Sequence, residues 1–212
     1  MPMLKKLIAS CVMFVIASSG FAAAPASSSE LSALLGNIKT MQADFTQTIL
    51  DNHGKAVQRS QGRLVLERPG KFRWDAVRPV RQLIISNGST LWIYDPELEQ
   101  VTIRTLTKEA GEVPALLLSR SDTVIEKQFT IKSITKNSGQ KSFVLVPRNA
   151  NSSFAAIQLG FSNNQLRQMQ LEDRLGHTTV IQFNRIVLNR SVAASAFIFK
   201  APRGVDVINE RR

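Results

Sequence analysis

The sequence predicts an α+β fold that is mainly antiparallel β: one large curved sheet with two helical segments. Three observations carry that expectation. From Gln42 onward, apolar and polar residues alternate with a period of two through most of the chain. Turn residues separate the alternating runs at short intervals, which makes successive strands antiparallel neighbours. A 43% hydrophobic content over 212 residues is enough for one globular core and hardly enough for two.

The first segment stands apart. Lys5 and Lys6 precede an apolar run, Leu7 to Ala17, and small residues follow through Ala22, Ala23, Ala24 and Ala26. This is the layout of a secretory signal peptide over residues 1–26, with cleavage between about 22 and 26, and it is too short to span a membrane. The single cysteine, Cys11, lies inside the apolar run with almost no hydrophobic stretch before it, which argues against lipidation. One cysteine also excludes a disulfide framework. Residues 27–212 are expected to form a single exported domain. Its net charge would fall from +11 to +9, because the leader takes away two lysines and no acid.

The first helix follows. Ser27 and Glu30 have capping-box spacing. Leu31, Leu34, Leu35, Ile38 and Met41 form one apolar stripe, with Gly36 weakening the helix without ending it. Strand-like runs come next, at about residues 43–50, 55–67, 71–76, 81–86, 90–94 and 100–105, then 129–135, 142–147, 155–162, 165–173 and 177–188. Asn52-His53-Gly54, Asn87-Gly88, Asn137-Ser138-Gly139, Asn163-Asn164 and Leu175-Gly176 supply the turns. About ten strands in one sheet curl or close rather than lie flat. The interruption is residues 109–127. There Pro114-Ala115-Leu116-Leu117-Leu118 reads as a short helix with proline in its first turn. It is apolar nearly all round, so it is buried or covers a cavity, and residues 121–127 add a further helical turn.

Catalytic patterns are missing. The chain has no Gly-x-Ser-x-Gly elbow, phosphate loop or dinucleotide fingerprint. His53 and His177 sit at turns without metal-ligand spacing to each other or to a cysteine. Asp95, Glu97 and Glu99 read as an acidic turn. No catalytic residue, metal or cofactor is expected, which argues against an enzyme.

The most distinctive stretch is Gly62 to Trp74. After Arg68-Pro69-Gly70 breaks two strands, Phe72 and Trp74 point to one face, and Lys71, Arg73 and Asp75 to the other. An ordinary half-buried strand explains this. So does a nucleic-acid surface, since basic and aromatic residues interleave, but an exported protein meets little nucleic acid. A third reading makes the aromatics the lining of an apolar cavity.

At this point a family becomes legible. Met41-Gln42-Ala43-Asp44-Phe45-Thr46-Gln47 is followed by Gln61-Gly62-x-Leu64 and by Arg68-Pro69-x-x-Phe72-x-Trp74. Then come Leu83-Ile84-x-Ser86-Asn87-Gly88-x-x-Leu91-Trp92-x-Tyr94-Asp95-Pro96 and, near the end, Phe197-x-Phe199-x-x-Pro202-x-Gly204-Val205. The order and spacing of this series resemble the LolA family of periplasmic outer-membrane lipoprotein carriers. The resemblance implies an incomplete, unclosed antiparallel barrel whose helices form a lid over a hydrophobic cavity. It implies acylated lipoproteins as cargo, received from an inner-membrane ATP-driven release complex and handed to an outer-membrane receptor of similar fold. It also implies a monomer. The family's lid-controlling arginine maps to Arg68, and its ligand-transfer aromatic to Phe72.

The physics of cargo transport agrees. An acyl chain of roughly sixteen carbons costs on the order of 12 kcal/mol to expose to water. A carrier must therefore offer an apolar cavity, yet hold cargo loosely enough to release it. A lid formed by Leu31, Leu34, Leu35 and Ile38 and by Pro114, Leu116, Leu117 and Leu118 would fill the cavity when empty and compete with cargo. Trp74, Leu64, Leu66, Ile84, Leu91, Ile93 and Leu145 are further candidates for its wall, although the opposite sheet face is equally open to that role. Arg68, with five donors and a fixed charge, is expected to hydrogen-bond lid backbone carbonyls in the closed state. Two other readings share these residues: a same-fold carrier of another lipid or amphiphile, and a regulatory or structural binding module.

Overall fold

The structure, a computed structural model, describes residues 26–106, 114–137 and 139–211. Residues 1–25 of the expected signal peptide, Cys11 among them, lie outside the described residues, as do residues 109–113 of the interrupting segment.

Among the described residues, twelve strands form one sheet. Six precede the interruption: β1 (Thr40–Leu50), β2 (Ala56–Glu67), β3 (Lys71–Arg78), β4 (Gln82–Asn87), β5 (Thr90–Asp95) and β6 (Gln100–Thr105). Five follow it: β7 (Phe129–Asn137), β8 (Gln140–Pro147), β9 (Phe154–Ser162), β10 (Gln165–Asp173) and β11 (Thr178–Leu188). The last is β12 (Asp206–Asn209). Their order across the sheet is β12-β6-β5-β4-β3-β2-β1-β11-β10-β9-β8-β7. The two halves are meanders joined where β1 pairs with β11, with Phe45 opposite Phe183. β7 and β12 are the two edges, so the sheet is unclosed, as the sequence leads one to expect.

Short antiparallel connections follow from the turn residues. Gly54, Gly70, Gly88, Gly139 and Gly176 all take positive φ, and Asn163 and Asn164 do so between β9 and β10. Gly62 is required for a different reason. A Cβ there would lie 2.0 Å from the Asp75 carbonyl oxygen and 2.7 Å from Cζ of Phe45. Only glycine lets β2 approach β3 while the Phe45 ring lies across it. The Phe45 ring then stacks on Trp74, with centroids 3.7 Å apart.

Among the described residues, three α-helices lie against one face: α1 (Ala26–Gly36), α2 (Pro114–Ser119) and α3 (Asp122–Gln128). α1 departs from the sequence reading in three ways. It begins at Ala26, so Ser27 lies within it, and its hydroxyl donates to the Ile131 carbonyl at 3.1 Å instead of capping. Glu30 is drawn outward to Lys141 on β8, at 2.7 Å. The helix also stops at Gly36, where glycine is about 1 kcal/mol less favourable than alanine in a helix. Ile38 is therefore not a helix residue. Its N–H donates to the Leu35 carbonyl in the turn that leads to β1, although its side chain stays buried. Met41, the expected end of the stripe, is in β1.

β12 has no counterpart among the expected strands. All four of its residues are exposed, so no alternation marks it, and it pairs with β6 in parallel. The chain reaches it by crossing the outer face of the sheet. A 3-10 turn, Ala194–Phe197, packs on β3 and β4, and Phe197 is buried there. Phe199 then tilts against Tyr94 and Trp92, at 5.8 and 6.4 Å between centroids. The aromatic tail motif thus fastens the C-terminal strap to the outside of the sheet.

Candidate functional site

The helices cover the apolar face of the sheet, called here its concave face because it wraps the helices. Strand alternation brings one apolar set from each half to that face: Leu64, Leu66, Phe72, Trp74, Ile84 and Leu91 from the first, and Phe143, Leu145, Leu159 and Phe183 from the second. All are buried, and Ile93 packs against them while partly exposed. Every wall candidate read from the sequence lies on this one face. Leu31, Leu34 and Leu35 of α1 and Leu116, Leu117 and Leu118 of α2 are buried in the same cluster, with Ile125 of α3. Pro114 opens α2 and is half-buried.

The apolar contacts carry most of the energy that seats the helices. Fully burying a leucine or isoleucine side chain contributes about 1.5–3 kcal/mol, so these seven together contribute roughly 10–20 kcal/mol. That matches the scale of about 12 kcal/mol for one acyl chain of sixteen carbons.

Polar contacts set where the helices sit. Arg68, at the end of β2, donates from Nη1 to the Leu35 carbonyl at 2.6 Å and from Nε to the Arg120 carbonyl at 2.8 Å. Its Nη2 also donates to the Arg120 carbonyl. One guanidinium thus ties the end of α1 to the segment just after α2. Beside it, the Gly70 N–H donates to the Ser119 carbonyl at 2.8 Å. All three carbonyls, of Leu35, Ser119 and Arg120, lie at or just past helix C-termini, where the last turn leaves oxygens without helical partners and a cation is favoured. The Arg120 side chain is itself half-buried and donates to Gln128 of α3, and burial pushes its pKa down.

A second polar cluster holds α1 to α3. Glu126 of α3 accepts from the Ser32 hydroxyl at 2.6 Å and the Ser28 hydroxyl at 3.2 Å. Sequence reading missed Glu126, Ser28 and Ser32. A carboxylate and two hydroxyls almost a hundred residues apart leave no local pattern.

The remaining candidates are dispersed. His53 is exposed beside Asn52, and His177 faces Asp173 in its own hairpin. Asp95 accepts from the Glu97 and Leu98 N–H groups, which makes the acidic cluster a turn. Among the described residues, no cluster of His, Cys, Asp and Glu is placed to hold a metal ion.

A family model described as "Outer membrane lipoprotein carrier protein LolA" matches residues 36–200. The chain belongs to the LolA family. Relatives named "Outer-membrane lipoprotein carrier protein" bear this out along the length of the chain. The one from Hahella chejuensis is 41% identical, covering 85% of this chain and 87% of the relative. The one from Azotobacter vinelandii is 38% identical, covering 93% and 98%. A solved structure of an uncharacterized conserved protein from Thermus thermophilus superposes with a TM-score of 0.51 at 12% identity, covering 85% of this chain and 99% of that one. That likeness concerns the fold alone. The LolA match takes in β1 to β11, both α2 and α3, and the whole Arg68 network except α1 up to Leu35.

Proposed function

We propose that this protein is a periplasmic carrier. It accepts the acyl chains of lipoproteins on the concave face now covered by α1, α2 and α3, and delivers them to the outer membrane. The observation that carries this reading is the seating of the helices: one apolar cluster between sheet and helices, closed by helices that one arginine links. Arg68 acts as the latch, since releasing the Leu35 and Arg120 carbonyls frees both helix ends together. Phe72 and Trp74, with Leu64, Leu66, Ile84, Leu91, Ile93 and Leu145, form the wall that cargo meets once Leu31, Leu34, Leu35 and Leu116–Leu118 withdraw. Ile38 follows α1 as part of its turn.

In this reading residues 1–26 are an export signal and residues 27–212 one carrier domain, acting as a monomer. Cargo comes from an inner-membrane ATP-driven release complex and passes to an outer-membrane receptor of similar fold. The work is binding and release, with no bond made or broken, so no catalytic residue or cofactor is assigned.

The test uses spheroplasts that hold newly made acylated lipoprotein. Added protein should release it as soluble one-to-one complexes, and a non-acylated form should give none. Failure to release acylated lipoprotein, with a free lipid recovered on the protein instead, would assign the cavity to a different cargo.

A further inference from the structure

We propose that the end of the sheet remote from Arg68 carries a docking surface for anionic phospholipid bilayers. β2 runs from Ala56 to Glu67, so at about 3.3 Å per residue its start lies roughly 35–40 Å from Arg68. That start is unusual. Ala56, Val57, Gln58 and Arg59 are all exposed, whereas the second half of the strand is largely buried. The reason is register. β3 first meets β2 at Arg78 opposite Gln61, so Ala56–Ser60 is bonded to β1 on one side and stands past the end of β3 on the other. The connection from β3 to β4 lies beside it, and every residue from Val77 to Arg81 is exposed.

The composition of this projection is mostly basic and apolar, and the nearest acid, Asp51 in the turn before β2, accepts from the Lys55 and His53 N–H groups. Val57, Val77 and Val80 are 58%, 42% and 45% exposed. Lys55, Arg59, Arg78 and Arg81 alternate with them, and no acid occurs from residue 52 to 66 or from 76 to 94. Among the described residues, none of these four side chains has an ion-pair partner. Their neighbours toward the middle of the sheet do: Arg63 lies 3.5 Å from Asp44, and Arg73 lies 3.4 Å from Asp75.

Free cations interleaved with exposed valines complement an anionic headgroup layer. Guanidinium groups bind phosphate in bidentate fashion, and the valines enter the boundary below it. Neither Lys55–Ser60 nor Val77–Arg81 contains an aromatic residue to act as an anchor, unlike the centre of a protein–protein interface. A fluid layer of headgroups needs no such anchor, which favours a bilayer over an acidic protein. Each cation near an anionic membrane raises partitioning roughly fivefold, so four give weak, reversible and salt-sensitive attachment. This surface is independent of what the concave face carries.

The experiment is vesicle flotation with the full exported protein, its N-terminus checked by mass. Phosphatidylcholine vesicles are compared with vesicles that also contain phosphatidylglycerol. The protein should float with the anionic vesicles at low salt, be released at high salt, and stay in solution with phosphatidylcholine alone. Arg78→Glu with Arg81→Glu should lower flotation by at least about tenfold. Val80→Asp should lower it too, with circular dichroism unchanged for both variants. Equal flotation with neutral vesicles, or flotation unaffected by the arginine reversals, would overturn the proposal. So would binding to polyglutamate with no vesicle binding, which would assign the surface to an acidic protein. Lipid drawn into the concave face reads separately, as soluble protein–lipid complexes.

Discussion

The Glu126 carboxylate of α3 accepts a hydrogen bond from the Ser32 hydroxyl of α1 at 2.6 Å. With the bond from Ser28, it makes α1 and α3 one unit before Arg68 adds α2. Glu126→Ala should uncouple that unit. Losing two hydrogen bonds to a charged, half-buried acceptor removes about 2–4 kcal/mol of local stability. Amide hydrogen exchange should therefore speed up in α1 and α3 by one to two orders of magnitude or more, while the strands of the sheet keep their protection. Equal acceleration in the strands would show that Glu126 supports the whole fold rather than the helix pair.

Arg68 makes a sharper prediction, because its two acceptors lie on different elements. Arg68→Leu leaves the Leu35 and Arg120 carbonyls without that donor and weakens the closed arrangement by about 2–4 kcal/mol. Arg68→Lys keeps the charge but has no planar fork, so it should restore one contact and only part of the loss. Limited proteolysis within residues 114–125 should be faster in Arg68→Leu and the yield of lipoprotein transfer lower, with Arg68→Lys intermediate. A lysine variant indistinguishable from wild type would mean that charge, not bridging, is what matters.

Gly62→Ala should damage the core from within the sheet. The added methyl meets backbone at Asp75 and the rigid Phe45 ring, neither of which is a flexible side-chain end. A loss of about 3 kcal/mol or more is expected in urea unfolding, at the upper end for overpacked sites. Emission from Trp74 should shift as well, because Phe45 stacks on it. Gly54→Ala is the control for glycine loss in general: a Cβ there meets nothing within 4 Å, so its only penalty is the positive φ.

The hairpin from β10 to β11 gives a pH-dependent prediction. Burial acts to raise the pKa of Asp173, but hydrogen bonds from the backbone and ring of His177 and from the Leu175 N–H outweigh it and hold the carboxyl below its ordinary range. A depressed carboxyl contributes stability above its unfolded pKa of about 3.9 and loses it as pH falls through the folded value. Asp173→Asn should therefore be less stable than wild type at neutral pH, with the gap closing in acid. The effect is small, because the side chain is about a third exposed. Thermal unfolding of both proteins between neutral pH and acid measures it.

The sheet was legible because alternation is a local signal. Phe72 and Trp74 against Lys71 and Arg73 already separate an inner face from an outer one, and the structure puts that inner face under the helices. The short apolar helix at Pro114 was legible for the same reason, since Leu116–Leu118 leave no polar side to expose. What stayed hidden depended on partners distant in sequence. The Ser27–Glu30 spacing resembles a cap, yet tertiary contacts with Ile131 and Lys141 claim both side chains. Ile38 keeps helical spacing with Leu35, but the chain must turn at Gly36 to enter β1. Glu126 looks like any surface glutamate until α1 is folded against it, and β12 is too short and too exposed to show a period.

The open seam between β7 and β12 has a mechanical consequence. In a closed barrel, strand number and stagger fix the circumference, and widening the bore means breaking a ladder of hydrogen bonds. Here the two margins are not bonded to each other, so the sheet can uncurl by small changes of twist between strands while every ladder stays intact. Girth becomes an elastic variable instead of a quantised one. The same scaffold can then widen or narrow without giving up the pairing of any strand with its neighbour.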